Sequence, residues 1–299
     1  MRNQKLSLDK TPTISVIIPT YNRSYCLGKA INSVINQTIT NWELIIIDNY
    51  STDNTKELIC NFNDSRIKSY QYRNHGIVAA SRNKGVDISS GEYIAFLDSD
   101  DWWDKRKLEK SLAAIKEGAD FIYHELYIMS DDANTSFFWN KTQSRNLKSP
   151  IFNDLLLNGN AISNSSVVVR RSCLEKIRGF SEDPSLVGAE DYDAWLKISK
   201  DTERFIRLPI CLGYYSLGAN NLSSGDRSIM NLNRILELYS NDLIKLGIGT
   251  PVWIKYTIGV SNKKMGKISE ARKQFMTIVL NRGSFKFRLR ALVFMLILF

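Results

Sequence analysis

The sequence predicts an α/β fold, with a mostly parallel sheet flanked by helices and an all-helical extension after it. In the first hundred residues, short apolar runs rich in β-branched residues alternate with segments of helical periodicity. This alternation is typical of βαβ units with right-handed crossovers. From residue 229 onward only helical periodicity remains. Polar clusters follow three of the apolar runs, at the strand ends where such sheets bind ligands.

Each element of the first hundred residues has its own signal. Apolar β-branched runs predict strands at residues 14–19, 44–48, 67–72 and 93–97. Helical spacing predicts helices at 27–36, 52–62 and 76–88, the second with Ser51 as its N-cap. The polar clusters are Thr20-Tyr21-Asn22, Asp48-Asn49 and Asp98-Ser99-Asp100-Asp101. We expect one site to gather all three.

The rest of the chain adds mixed elements and then helices alone. Further helices are predicted at 108–117, 172–178 and 191–199, and strands at 121–129 and 165–169. Residues 131–150 and 216–228 are polar and are predicted to be loops. A helix at 229–246 precedes a helix pair at 251–264 and 268–280, which turns at Gly266-Lys267. We expect a domain at 1–228, with halves at 12–105 and 106–228, and a helical extension at 229–299.

Composition narrows the class of protein. The chain has 299 residues, of which 43% are hydrophobic, enough for a large core. Its four cysteines and two histidines show no paired spacing, which argues against a zinc site or disulfide framework and favours a reduced, cytoplasmic setting. Residues 1–10 lack the apolar core of a signal peptide, and no apolar stretch is long enough to span a membrane.

The net charge of +9 is concentrated in one segment. Residues 262–299 contain nine Lys/Arg and one acid. Within them, residues 284–299 alternate basic and apolar side chains and then run into nine apolar residues, too few to cross a bilayer. This pattern favours an interfacial helix on an anionic membrane surface. The alternative is a terminal helix packed on the protein's own core or on a second subunit.

The acidic cluster after the fourth strand is the sharpest chemical signal. Asp98 and Asp100, two residues apart at a strand end, can face a divalent cation that also binds a diphosphate. Mg²⁺ and Mn²⁺ favour such oxygen ligands, and the cation would offset charge on a leaving diphosphate. The alternative is a solvated acidic turn that caps a helix beginning near Trp103.

Two further motifs suggest roles beside such a cation. Glu190-Asp191 opens a predicted helix, where a carboxylate can act as general base toward an acceptor hydroxyl or simply cap the helix. Arg82 lies on the helix before the acidic strand end. Its guanidinium can contact a diphosphate or orient the acidic cluster, and the alternative is an ordinary surface ion pair.

With these motifs in order, residues 12–225 resemble the family 2 glycosyltransferases, which have the GT-A fold, a Rossmann-like nucleotide-diphospho-sugar transferase fold. Each motif is weak by itself, and the ordered set is specific. The matching motifs are Ile17-Ile18-Pro19-Thr20-Tyr21-Asn22, Ile47-Asp48 with Ser51-Thr52-Asp53, Asn74 with Gly76, Arg82-Asn83 with Gly85, Gly91-Glu92-Tyr93, Leu97-Asp98-Ser99-Asp100-Asp101, Gly179-Phe180 and Ala189-Glu190-Asp191-Tyr192-Asp193.

The resemblance implies a role for each matching position. The nucleotide-sugar-binding residues would be Pro19, Tyr21, Asp48, Asn49, Arg82 and Asp98, with the first four holding the base. Asp100 would be the direct ligand of Mn²⁺ or Mg²⁺, with Asp98 nearer the ribose. Asp191, beside Glu190, would be the general base of a reaction that inverts the anomeric centre.

The sequence departs from the family pattern at two places. Many relatives have two aspartates where this chain has Asp48-Asn49, so the contact with the base can differ. Many also have a histidine after the strand that here ends in Tyr214-Tyr215-Ser216-Leu217-Gly218. The absence of that histidine puts a third protein ligand of the metal in doubt.

The resemblance further implies a donor, an acceptor and a location. The expected donor is UDP-glucose or UDP-galactose, bound by the half at 12–105, and the half at 106–228 would hold the acceptor. The expected acceptor is a sugar on a lipid diphosphate in O-antigen or capsule synthesis, with a β linkage formed. The protein is then expected in the cytoplasm, held peripherally on the inner membrane by its basic tail.

Other functions are weighed against this one. A nucleotidyltransferase would need a Gly-rich, basic phosphate loop after the first strand, and a dinucleotide-binding enzyme would need G-x-G-x-x-G; neither is present. Nucleic-acid binding is disfavoured, since the basic tail lacks the stacking-aromatic pattern of single-strand readers. A non-catalytic sugar-nucleotide- or lipid-binding partner of a polysaccharide assembly complex stays open as the alternative function.

Overall fold

The computed structural model of the chain describes residues 12–130, 140–217, 225–280 and 285–297. These residues form eight strands and twelve α-helices. The strands are β1 (Ile14–Thr20), β2 (Trp42–Asp48), β3 (Ile67–Gln71), β4 (Tyr93–Phe96), β5 (Trp102–Trp103), β6 (Phe121–Ser130), β7 (Val168–Arg170) and β8 (Phe205–Leu217). The helices are α1 (Leu27–Ile35), α2 (Thr55–Cys60), α3 (Val78–Ile88), α4 (Lys107–Lys116), α5 (Ile151–Asn158), α6 (Arg171–Lys176), α7 (Glu190–Ser199), α8 (Gly225–Leu238), α9 (Ser240–Lys245), α10 (Val252–Lys264), α11 (Ile268–Leu280) and α12 (Phe285–Ile297).

All eight strands belong to one mixed sheet in the order β3-β2-β1-β4-β7-β6-β8-β5. The pairs β1–β2, β1–β4, β2–β3 and β6–β8 are parallel, whereas β7 is antiparallel to both β4 and β6, and β5 is antiparallel to β8. The last residues of β1 and β2, Thr20 and Asp48, are paired. The polar residues that follow β1, β2 and β4 therefore lie along one edge of the sheet, as the sequence predicts.

The core lies on both faces of this sheet because successive strand residues point to opposite sides. From β1, Ile14, Val16 and Ile18 pack into a cluster that includes the buried face of α1, and Ile17 packs into a second cluster that includes residues of α3 and α7. All four of these β1 side chains are fully buried. Burial on both faces explains why the strand reads as a continuous apolar run.

Several predicted boundaries are wrong, and side-chain contacts account for some of them. Helix α2 is shorter than predicted, and Ser51 does not cap it. The Ser51 hydroxyl instead donates to Asp48 Oδ1 and accepts from the backbone N–H of Asn22, tying the ends of β2 and β1 together. The strand predicted at 165–169 begins as a 3₁₀ turn, Asn164–Ser166, before β7. The sequence patterns did not predict helix α5, strand β5 or most of strand β8.

The C-terminal helices follow the predicted pattern with one break. The helix predicted at 229–246 is divided into α8 and α9 at Tyr239, whose hydroxyl donates to Asp193 Oδ1 at 2.8 Å in the main core. Helices α10 and α11 form the predicted pair and turn at Gly266, whose φ of 74° favours glycine. The domain boundary at residue 228 falls inside α8 and stays a prediction. The predicted loop at 131–150 is largely irregular over its described part, 140–150. The loop predicted at 216–228 is wrong at both ends, since residues 216–217 continue β8 and α8 begins at Gly225, before the predicted start at 229. Residues 1–11, 131–139, 218–224, 281–284 and 298–299 lie outside the described residues.

Helix α12 has one packed face and one exposed face. Ala291 is buried against the small cluster formed with α10 and α11, where Phe287 and Phe294 also pack. The opposite side is apolar and exposed, at Phe285, Leu289, Leu292, Val293 and Leu296. The alternative prediction of packing on the protein's own helices thus holds for one face. None of the described helices combines the length and the apolarity needed to cross a membrane.

Candidate active site

A cavity of about 550 Å³ opens beyond the carboxyl ends of β1 and β4. The cavity is lined by residues from the loop after β1, from α3, from the acidic turn after β4, from the 3₁₀ turn at Asn164–Ser166, and from the starts of α7 and α8. Six of the predicted site residues line it: Pro19, Arg82, Asp98, Asp100, Glu190 and Asp191. Residues of distant sequence segments thus converge on one polar space.

Three predicted site residues lie at the same sheet edge but outside the lining of this cavity. Tyr21 is 53% exposed just after β1. The buried carboxylate of Asp48 accepts hydrogen bonds from the N–H and hydroxyl of Ser51. The side-chain oxygen of Asn49 accepts a hydrogen bond from the backbone N–H of Asn74. Their contact with a nucleotide base stays a prediction.

Arg82 links the two acidic motifs. Helix α3 carries its side chain into the protein, where it is buried, so the alternative of a surface ion pair is wrong. Its Nη1 lies 2.6 Å from Glu190 Oε1, and its Nη2 lies 2.8 Å from Asp98 Oδ1. Such charge-assisted bonds are strong and directional, so Arg82 fixes Glu190 and Asp98 relative to each other.

The two carboxylates at the start of α7 differ in their surroundings. Both oxygens of Glu190 are engaged, Oε1 by Arg82 and Oε2 by the backbone N–H of Gly188 at 2.5 Å. From the part of the chain that the structure describes, Asp191 receives one hydrogen bond, from the adjacent N–H of Tyr192 to its Oδ1 at 2.6 Å. Burial, and after it the nearby charge of Glu190, raises the pKa of Asp191 to about 7. Asp191 is therefore suited to exchange a proton near neutral pH.

The acidic turn after β4 concentrates negative charge. Burial and the Asp98 charge raise the pKa values of Asp100 and of Asp101 above the ordinary range. Asp101 is 2% exposed and accepts a hydrogen bond from the Ser216 N–H, while its Oδ2 has no partner among the described residues. The alternative that these acids cap a helix near Trp103 is wrong, since β5 follows and α4 begins only at Lys107.

The acidic turn fits a divalent cation as part of a ligand set. Its carboxylates are hard oxygen donors whose crowding a cation would relieve. Among the described residues, no group of three or more His, Cys, Asp or Glu side chains is arranged to hold a metal alone. At the end of β8, Tyr215 lines the cavity, and burial and the nearby carboxylates raise its pKa to about 12. Because the described residues supply too few metal ligands by themselves, phosphate oxygens and water would have to complete the coordination of the cation.

Some lining residues were missed by the sequence reasoning. Arg23, directly after the Thr20-Tyr21-Asn22 cluster, has its Nη2 3.8 Å from Asp100 Oδ2, and its position in that loop was a usable signal. Asn164 donates from Nδ2 to Asp98 Oδ1 at 3.1 Å. Asn231 reaches the cavity from α8, and no local pattern marks it.

The chain is similar in sequence to one protein family and to named bacterial members of that family. Residues 15–178 match the family described as Glycosyl transferase family 2. The chain is 34% identical over 213 residues to the UDP-Glc:alpha-D-GlcNAc-diphosphoundecaprenol beta-1,3-glucosyltransferase WfgD of Escherichia coli, covering 71% of this chain and 79% of the relative. It is 31% identical over 217 residues to the putative teichuronic acid biosynthesis glycosyltransferase TuaG of Bacillus subtilis, covering 71% and 82%.

Solved structures share the fold at low sequence identity. Residues 1–349 of S. aureus TarS in complex with UDP-GlcNAc superpose with a TM-score of 0.63 at 18% identity, covering 89% of this chain and 80% of that one. The mannosyltransferase PcManGT of Pyrobaculum calidifontis, in complex with GDP-Man and Mn²⁺, gives a TM-score of 0.58 at 17% identity, covering 97% and 82%. These similarities concern the fold alone.

Proposed function

Because this chain belongs to glycosyltransferase family 2, we propose that it transfers a hexose from UDP-glucose, or as second choice UDP-galactose, to a sugar on a lipid diphosphate. The chain is a glycosyltransferase with the GT-A fold. The observation that carries the proposal is the cavity in which Arg82 joins the acidic turn to the start of α7. The domain division at residue 228 and the donor and acceptor halves are part of the same proposal.

The proposed reaction uses Asp191 at one end of the cavity and the diphosphate of the donor at the other. Asp191 takes the proton of an acceptor hydroxyl while that oxygen attacks the anomeric carbon of the donor. The bond between this carbon and the diphosphate oxygen breaks, and the electron pair leaves with UDP. Attack from the face opposite the leaving group inverts the anomeric centre, so an α-linked donor gives a β-linked product.

Asp191 is the better base of the adjacent pair. A general base needs an oxygen free to receive a proton, and both oxygens of Glu190 already accept hydrogen bonds. We therefore assign Glu190 to hold Arg82 and the Gly188 backbone in place beside Asp191. This division of roles keeps both predicted catalytic residues at the site while only Asp191 meets the substrate.

The acidic turn would hold the diphosphate end of the donor. Asp100, with Asp98, would bind Mn²⁺ or Mg²⁺, which when bound stabilises the charge that develops on the leaving diphosphate. Arg23 adds a cation on the same side of the cavity. Pro19 lies in the lining, and Tyr21, Asp48 and Asn49 at the neighbouring strand ends would hold the base.

The lipid-linked acceptor is supported by the named relatives. WfgD and the Escherichia coli protein WfaP, 30% identical over 238 residues, are both named for transfer of glucose from UDP-Glc to GlcNAc on diphosphoundecaprenol. By analogy the acceptor here is a sugar on a lipid diphosphate in O-antigen or capsule synthesis. Such an acceptor lies in a membrane, so the enzyme would work in the cytoplasm at the inner face of that membrane.

Helix α12 supplies a surface suited to this location. Its exposed apolar side chains recur every three or four residues, and Lys286, Arg288 and Arg290 are exposed beside them. An apolar stripe with basic neighbours can bury in the headgroup region of an anionic bilayer. We propose that this face of α12 holds the enzyme on the membrane.

The transfer reaction can be tested directly. Purified protein is incubated with UDP-glucose, UDP-galactose or other nucleotide-sugars, Mn²⁺, and GlcNAc or GalNAc on a lipid diphosphate. Asp191→Asn is expected to abolish product, and Asp87→Asn, at an exposed position of α3, is the matched control. Product from UDP-glucose alone would support the proposal and its donor. The absence of product from every donor, with bound nucleotide-sugar unconsumed, would contradict it and favour a non-catalytic partner.

A further inference from the structure

Two buried asparagine side chains in the cavity have an oxygen without a hydrogen-bond partner among the described residues. They are Asn164, in the 3₁₀ turn, and Asn231, on α8, each 7% exposed. Both side chains line the cavity. A buried amide oxygen that accepts no hydrogen bond costs free energy, and such groups in native proteins call for an explanation. A ligand that donates hydrogen bonds would provide one.

The orientation of each amide is fixed by its other end. Asn231 Nδ2 donates to the carbonyl oxygen of Val187 at 3.2 Å, and Asn164 Nδ2 donates to Asp98 Oδ1 at 3.1 Å. Turning either amide over would place its oxygen against another oxygen. Each side chain therefore keeps its oxygen as an acceptor, and its ligand must present O–H or N–H groups. Sugar hydroxyls and acetamido groups meet this requirement without carrying charge.

The two asparagines lie in different parts of the cavity, Asn164 on the donor side and Asn231 on the acceptor side. Asn164 is anchored to Asp98, on the side of the acidic turn. Asn231 is anchored to Val187, which precedes Glu190 and Asp191 by only a few residues. An acceptor hydroxyl must come within hydrogen-bond reach of Asp191. The sugar that carries this hydroxyl therefore lies in the part of the cavity that Asn231 lines.

We propose that Asn231 binds the acceptor sugar through its side-chain oxygen, so that α8 completes the active site. This inference rests on the proposed function and assigns the acceptor side of the cavity to a neutral, hydroxyl-bearing sugar. The helical extension then has a direct part in acceptor recognition. The helical extension, which the sequence predicts to begin at residue 229, would thus have a function besides membrane contact.

The test separates binding of the acceptor from support of the fold. In Asn231→Ala, the KM for the lipid-linked acceptor is expected to rise about three- to tenfold, the loss of one hydrogen bond. The KM for UDP-glucose, and its slow hydrolysis in the absence of acceptor, should stay unchanged. Asn233→Ala, an exposed position on the same helix, is the matched control and should leave all three values unchanged. Asn231→Ser keeps a short hydrogen-bonding side chain and replaces the alanine variant if that fails to fold.

Acceptor analogues that each lack one hydroxyl or the acetamido group identify the bonded group. For one analogue, the wild-type protein should lose affinity while Asn231→Ala shows no further loss. Equal losses of transfer and of donor hydrolysis in Asn231→Ala would overturn the inference, because they would mean that Asn231 only supports the segment around Val187. If the wild-type protein consumes no UDP-sugar at all, the proposed function has failed, and this outcome is distinct from the first.

Discussion

Arg82 Nη1 lies 2.6 Å from Glu190 Oε1, and both side chains are buried although 108 positions separate them in the sequence. Removing Glu190 leaves the buried Arg82 guanidinium with Asp98 as its remaining carboxylate partner, so the charge is only partly compensated. Glu190→Ala is therefore expected to lower the free energy of unfolding by about 3 kcal/mol, the lower end of the range for a broken buried ion pair. Urea denaturation measures this loss.

A double substitution checks the cause of that loss. Arg82→Ala combined with Glu190→Ala should destabilise the protein by less than the sum of the single changes, because the loss of the contact between these two residues is then incurred once and not twice. Glu109→Ala, in an exposed pair with Arg106, should change little and serves as control. Strictly additive losses would show that the Arg82–Glu190 pair is not the source of the effect.

The pKa of Asp191 predicts the pH dependence of the reaction. Burial and the Glu190 charge raise this pKa to about 7, so Asp191 is protonated below that pH in the free enzyme and cannot act as a base. The value of kcat/KM is expected to fall about tenfold per pH unit below 7 and to level off above it. Steady-state rates between pH 5 and 9 measure this, and a flat profile would contradict the assignment.

The same shift predicts an effect on stability. Because the folded protein disfavours the charged form of Asp191, Asp191→Asn should raise the melting temperature at pH 8 while abolishing transfer. At pH 5, where the wild-type group is protonated, the difference in melting temperature should shrink. Differential scanning calorimetry at the two pH values is the measurement, and a lower melting temperature for the variant at pH 8 would refute this reasoning.

Arg23 should contribute to donor binding. Both terminal nitrogens of Arg82 are engaged by carboxylates, whereas Arg23 donates from Nη1 to the Tyr25 hydroxyl and its Nη2 has a loose ion pair with Asp100 at 3.8 Å. Arg23→Ala is expected to weaken binding of UDP about tenfold in calorimetric titration, the loss of a charge-assisted hydrogen bond. Uridine binding should be unchanged, since it lacks phosphates. An equal loss for uridine would mean that Arg23 only supports the base site.

The acidic turn should make the protein respond to a divalent cation. Mn²⁺ together with UDP is expected to raise the melting temperature by a few degrees, because ligands that bind the folded state stabilise it. Asp100→Asn should remove most of this increase, and Asp87→Asn should preserve it. A full increase in Asp100→Asn, measured by thermal shift, would show that Asp100 is not a ligand of the metal.

The exposed face of α12 should bind anionic membranes. Leu289→Glu with Leu292→Glu is expected to abolish co-sedimentation with vesicles that contain an anionic phospholipid, since both side chains belong to the apolar stripe. Ile244→Glu, at a position 72% exposed on α9, is the control and should bind like the wild type. Binding that persists in the double variant would point to another surface.

The alternating elements of the sheet and the acidic strand end can be predicted from the amino-acid sequence alone. These features depend on neighbours along the chain: a β-branched apolar run predicts β1, and Asp98 with Asp100 follows β4 within a few residues. The Glu190-Asp191 pair was also visible in the sequence, and the family resemblance assigned the role of general base to Asp191. The start of α2 was predicted wrongly because the Ser51 hydroxyl forms hydrogen bonds with Asp48 and with the backbone of Asn22 and does not cap the helix.

Which of these residues contact one another, and which of their polar atoms are left for a substrate, follows from the tertiary structure. It buried Arg82 between Glu190 and Asp98, left Asp191 as the less engaged carboxylate of the pair, and brought Asn231 from α8 to the cavity. It also determined which face of α12 is packed and which is exposed. Local periodicity carries no information on such contacts, because they depend on how crossovers and packing bring together segments more than a hundred residues apart.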